Sequence, residues 1–152
     1  MGRRLGLSTS RNGCVPLAAG SRHSPPVEKT LYEVLGEDRI RALVDRFYDH
    51  MDSAPEAAGV RAIHPADLAS SRDKLFWFLV GWSGGPQLFV ERFGHPRLRA
   101  RHMPFAIGDD EVVQWMHCMR LALAEVIAEP HLRAIMESTF GQIGMHMRNQ
   151  AE

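Results

Sequence analysis

FGHPRLRARHMPF, residues 93–105, sets two histidines and three alternating arginines between prolines, in a chain whose 18 Lys and Arg are balanced by 18 Asp and Glu. Three readings compete for it: a nucleic-acid contact, a solvated surface loop, or a ligand with counter-charges for a bound group. The zero net charge provides no global basic field of the kind that binds polyanions by counterion release. Any basic function is therefore local, and neither nucleic acid nor membrane is an expected partner.

Working outward, the surroundings are helical. GGP at 84–86 and His95-Pro96 bound a stretch that reads as irregular, and irregular segments of that length are often functional. Downstream, Asp109, Asp110 and Glu111 open a helix expected over 109–128, with Val112, Trp115, Met119, Ala122 and Val126 inward and Pro130 as its stop. A last helix follows, with Leu132, Ile135, Met136, Thr139, Phe140 and Ile143 on one face. Upstream, Ile40, Leu43, Val44, Phe47, Tyr48 and Met51 recur at helical spacing. Residues 53–63 read as a connection, and HPAD at 64–67 as the start of a helix to about Trp82, with Pro65 in its first turn. On that helix Ser71, Lys74, Leu75, Phe78 and Trp82 share a face that mixes apolar groups with a serine and a lysine. No alternating run of strand length occurs, so the fold is expected to be all-α.

The 152 residues, 45% hydrophobic, suit one domain with one core. The expected division is a flexible N-terminal extension at 1–27, a globular domain at 28–148 and a C-terminal tail at 149–152. The extension holds four arginines and no acid, but lacks the apolar stretch of a secretory signal. No run reaches the roughly 18 apolar residues of a membrane span. Two cysteines, Cys14 and Cys118, form no disulfide framework, and the expected setting is reducing and cytoplasmic. Cys118 reads as a small buried apolar residue.

The eight histidines fall into no HExxH or CxxC-type metal pattern, and no GxSxG elbow, P-loop or paired-carboxylate site is present. Hydrolase and nucleotide chemistry drop out. Tyr48 and Trp115 each carry a hydrogen-bond donor into an apolar setting, where an unpaired donor is costly. Either each bonds a nearby carbonyl, or the helices enclose a bound group that needs them.

The runs WSGGPQLFVERFGHPRLRARHMPFAIG (82–108) and QWMHCM (114–119) resemble the group II truncated haemoglobins. So do LYEVLG (31–36), RFYDHM (46–51) and HPADLASSRDKLFWFL (64–79), so the resemblance extends from residue 31 to about 128. It implies a truncated globin domain: a two-over-two helical sandwich around haem b. The metal ligand carries over to His102, with Pro104 ending the short helix just beyond it. His95 then shapes the loop.

The resemblance also implies Tyr48, His64 and Trp115 as distal donors. Ser71, Leu75, Phe78, Leu79 and Phe105 are implied to contact the cofactor, and Lys74, Arg99 and Arg101 to face its propionates. It implies O2, CO and NO as ligands, a monomer or homodimer, and either redox turnover supported by a reductase (NO dioxygenase or peroxidase-like work) or oxygen carriage, storage or sensing. Four positions depart from the family's pattern: Glu37 in place of a second glycine, Phe89 where a tyrosine often meets a propionate, Val112 and Val113 after Glu111, and His64 where tyrosine or phenylalanine is common. A titratable His64 is expected to tune ligand affinity near neutral pH.

Overall fold

The computed structural model describes residues 29–150. The expected N-terminal extension and Cys14 lie outside the described residues. Among these the chain is all-helical: α1 (Leu31–Ser53), a 3-10 turn (Pro55–Ala57), α2 (Ala58–Ala62), α3 (Ala69–Trp82), α4 (Leu88–Phe93), α5 (Leu98–His102), α6 (Asp109–Val126) and α7 (Pro130–Met147). α1 packs on α3 and on α6, and α6 packs on α7, giving two helix pairs laid one over the other. No helix among the described residues is long and apolar enough to cross a membrane.

α1 starts at Thr30, whose hydroxyl accepts the Glu33 N–H at 3.2 Å and satisfies one of the helix's orphan donors. Its first turn is set off by Gly36, at φ 74°, a left-handed conformation that favours glycine. Glu37, the departure after that glycine, accepts the Tyr32 hydroxyl at 2.9 Å and so closes the kink. Beyond it, the expected face of Ile40, Leu43, Val44, Phe47, Tyr48 and Met51 is buried throughout. Met119 and Ala122 of α6 join that face in one core together with Met116, Cys118 and Leu123, while Val112, also buried, lines the cavity described below. Phe140 and Met136 of α7 complete the core. Phe140 stacks on Trp82 (centroids 5.1 Å apart) and meets Trp115 edge-on.

Several expected boundaries move. The 53–63 connection contains the 3-10 turn and α2, which bury Ala57 and Val60. Helices this short depend on such packing and leave little periodicity to detect. HPAD is a turn, not a helix start, because Arg61 donates to the carbonyls of Pro65 (2.8 Å) and Ala66 (2.9 Å), which a helix would have used in its own ladder. α3 therefore begins at Ala69, whose N–H is received by Asp67 at 2.9 Å. The stretch 84–96, expected to be irregular, contains α4. α6 ends at Val126 rather than at 128, and Pro130 is the first residue of α7, where its missing N–H costs nothing. Ile135, expected inward, is 46% exposed.

Candidate functional site: a cavity between two histidines

A cavity of about 550 Å³ is lined by residues of all seven α-helices, within the rough 300–1,000 Å³ range of small-molecule and cofactor sites. It brings together Tyr48, His64, Ser71, Lys74, Leu75, Phe78, Leu79, Arg101, His102, Phe105 and Trp115, all expected from the sequence. Val60, Phe93, Leu98, Ile107, Gly144 and Met147 join them unanticipated. Leu98 was legible in principle, since it precedes His102 by one helical turn. Gly144 was not. A Cβ there would meet Val112 Cγ1 at 3.2 Å and Trp115 Cε3 at 3.9 Å, so its lack of a side chain lets α7 approach α6.

His102 ends α5, and Met103 and Pro104 follow the helix, as expected for a proline stop. Its Nδ1 lies 2.6 Å from the Leu98 carbonyl oxygen. Only a protonated Nδ1 can bond a carbonyl, so the neutral ring carries its free lone pair on Nε2, the form required of a metal ligand. His64 is arranged in the same way, with Nδ1 2.8 Å from the Val60 carbonyl oxygen. In this arrangement its donor is directed at Val60. A neutral His64 presents an acceptor, not a donor, at Nε2, and its pKa is lowered, first by burial and then by the charges of Arg61 and His102, against the opposing Val60 bond.

The donors are Tyr48 and Trp115. Burial raises the Tyr48 pKa above its ordinary value despite the opposing charge of Arg72, so the hydroxyl keeps its proton. Its ring meets Phe47 edge-on at 4.9 Å and His64 at 5.9 Å. Trp115 is fixed against the same Phe47 at 5.3 Å. Among the described residues no fully buried side-chain N or O atom lacks a partner. The Tyr48 hydroxyl and the Trp115 indole N–H, each without a protein partner there, belong to residues lining the cavity.

The cations divide. Lys74 is exposed at the cavity wall, with Nζ 5.8 Å from the centre of the Phe93 ring. Arg101 also lines the wall, its guanidinium over Phe89 at 5.4 Å while it donates to the Phe93 and His95 carbonyls. Phe89, where a tyrosine was expected, thus supports Arg101 through its ring. Arg99 is not at the cavity, contrary to expectation. Its Nη1 is spent on the carbonyls of His146 and Arg148, both at 3.0 Å.

Haem fits this donor set: a histidine with a free Nε2, flat apolar walls of Leu75, Phe78, Leu79 and Phe105, cations at the wall and two unspent donors. No three His, Cys, Asp or Glu side chains cluster as a separate metal site among the described residues.

Comparison with known proteins agrees. The family described as bacterial-like globin matches residues 30–149. The chain is 38% identical over 121 residues to a group 2 truncated hemoglobin of Bacillus subtilis, covering 80% of this chain and 89% of the relative. It superposes on the group II 2-on-2 hemoglobin from Agrobacterium tumefaciens with a TM-score of 0.80 at 44% identity, over 84% of this chain and 99% of the other. The truncated oxygen-avid haemoglobin from Bacillus subtilis gives 0.73 at 36%, over 80% and 100%. The chain belongs to the bacterial-like globins and, within them, to the group II truncated haemoglobins, haem-binding and oxygen-binding proteins of two-on-two helical fold.

Proposed function

We propose that this protein holds haem b through His102, binds O2 tightly, and uses it, or a peroxide, in redox work such as NO oxidation or peroxidase-like turnover. The carrying observation is the pair of unspent donors, Tyr48 and Trp115, on the wall of a cavity that also contains a histidine with its Nε2 lone pair free. When bound, haem supplies a redox-active iron that accepts diatomic gases. Ser71, Leu75, Phe78, Leu79 and Phe105 keep water from its faces. Lys74 and Arg101 pair with its carboxylates and orient it. At the solvent edge each such pair contributes at most about 1 kcal/mol.

Tyr48 and Trp115 aim N–H and O–H dipoles at a ligand that gains negative charge. A hydrogen bond to a charged acceptor contributes about 1.5–3 kcal/mol. Two of them slow ligand release by roughly 10²–10⁴-fold, at about 1.4 kcal/mol per factor of ten. Slow release suits chemistry more than carriage, and the oxygen avidity stated for the Bacillus subtilis relative is consistent with it.

Oxygen dissociation from Trp115→Phe and Tyr48→Phe is the direct test, with release accelerated in both; wild-type rates would remove the donor assignment. Consumption of NO or peroxide with NAD(P)H and a reductase separates turnover from carriage. Turnover no faster than with free haem would leave an oxygen carrier, reservoir or sensor.

A further inference from the structure

α5 carries His102 yet buries none of its residues, so packing alone does not fix the helix. Hydrogen bonds from the end of the chain do. Asn149 donates from Nδ2 to the carbonyls of His102 (3.2 Å) and Phe105 (2.8 Å), and its Oδ1 accepts the Ile107 N–H at 2.9 Å. Its own backbone N–H donates to the Ile107 carbonyl at 2.8 Å. In the opposite direction Arg99, within α5, donates to the carbonyls of His146 and Arg148 at the end of α7. The His146 carbonyl sits at a helix C-terminus, where the ladder leaves acceptors unpaired, and the His102 carbonyl, already receiving the Phe105 N–H at 3.0 Å, takes Asn149 as a second donor. Each helix end is therefore tied by a side chain from the other segment. Asn149, expected to begin a tail, is a fastener.

We propose that Asn149, with Arg99, is a positioning residue for His102. This rests on the reading of His102 as the haem ligand. The His102 ring is held at Nδ1 by Leu98 and its backbone carbonyl by Asn149, so the direction of Nε2 is set at two points. Asparagine is specific here. Two carbonyls require donors and the Ile107 N–H requires an acceptor, and one amide side chain supplies both. Aspartate satisfies only the N–H and sets a carboxylate against two carbonyl oxygens; alanine satisfies nothing.

The test uses the haem-loaded full chain as wild type, Asn149→Ala, Asn149→Asp, Arg99→Ala and His102→Ala. The readouts are the iron–histidine stretching band of the ferrous protein by resonance Raman, the rate of haem loss to an apoglobin acceptor, and amide exchange at Ile107. Asn149→Ala and Asn149→Asp are both expected to shift or broaden the band and to speed haem loss by about tenfold, the equivalent of losing one or two hydrogen bonds. Arg99→Ala moves both readouts the same way. Ile107 exchange rises in the alanine variant and stays slower in the aspartate variant, which keeps the acceptor. If Asn149→Ala fails to fold, Asn149→Asp and Arg99→Ala decide.

A wild-type band and haem-loss rate in Asn149→Asp would overturn the proposal, leaving Asn149 as a tie to Ile107 alone. A stretching band that survives in His102→Ala would overturn the ligand assignment, and the proposal with it. A band lost in His102→Ala but unmoved in every Asn149 and Arg99 variant would overturn the positioning role only.

Discussion

Gln114 of α6 accepts the backbone N–H of Val60 through Oε1 at 2.8 Å. The carbonyl of the same Val60 holds His64 Nδ1, so the backbone of one residue links the neighbour of Trp115 to His64. Gly59 leaves room for this contact, since a Cβ there would lie 2.8 Å from Gln114 Oε1. Gln114→Ala leaves the N–H of buried Val60 unpaired, at an expected cost of about 1–3 kcal/mol. Urea unfolding measures it. Wild-type stability would show that water replaces the amide without penalty.

His64 sets the pH dependence. Its pKa lies below the ordinary value of about 6.5, chiefly through burial, so the ring is neutral at neutral pH and offers only an acceptor. Oxygen release is therefore expected to be flat from about pH 6.5 to 8. It should slow below that range, as protonation places a donor on Nε2. His64→Phe abolishes the low-pH limb. Stopped-flow dissociation across pH 5–8 is the check, and a wild-type profile flat to pH 5 would remove the tuning role. Stability follows the same linkage. With the folded pKa depressed, the contribution is present above the unfolded value and is lost as pH falls through the lower folded one.

Phe140 is 1% exposed, stacks on Trp82 and borders Trp115. Phe140→Ala is expected to cost about 3–5 kcal/mol. It should also speed oxygen release, because Trp115 loses one of the two rings that orient it. A full loss of stability with unchanged release would show that Phe47 alone holds the indole.

Cys118 is fully buried and its thiol is pushed up to about 11, chiefly by burial. The thiolate is the reactive form. In a Cys14→Ser background Cys118 should resist a thiol reagent at pH 8 while folded and react at once in urea. Rapid labelling of the folded protein would place it on an accessible surface.

Much of this was legible in the sequence. The α1 face could be read from spacing alone because 23 residues carry many periods, whereas α2 and α4, five and six residues long, carry too few. Resemblance, not periodicity, pointed to His102 and to most of the cavity wall. What the sequence concealed were contacts made at a distance. Arg99, two residues from Arg101, reads as its equal, but it faces the end of α7 rather than the cavity. The role of His64 depended on which ring nitrogen takes the Val60 carbonyl, a choice that residue identity does not express.

Both histidines settle that choice against the carbonyl four residues earlier, Leu98 for His102 and Val60 for His64. Those acceptors belong to the main chain, so no side-chain replacement at position 98 or 60 deletes them. Mutational drift can remodel the walls around the gas while both imidazoles keep the same protonation pattern, which makes ligand selectivity open to change at little risk to the chemistry of the site.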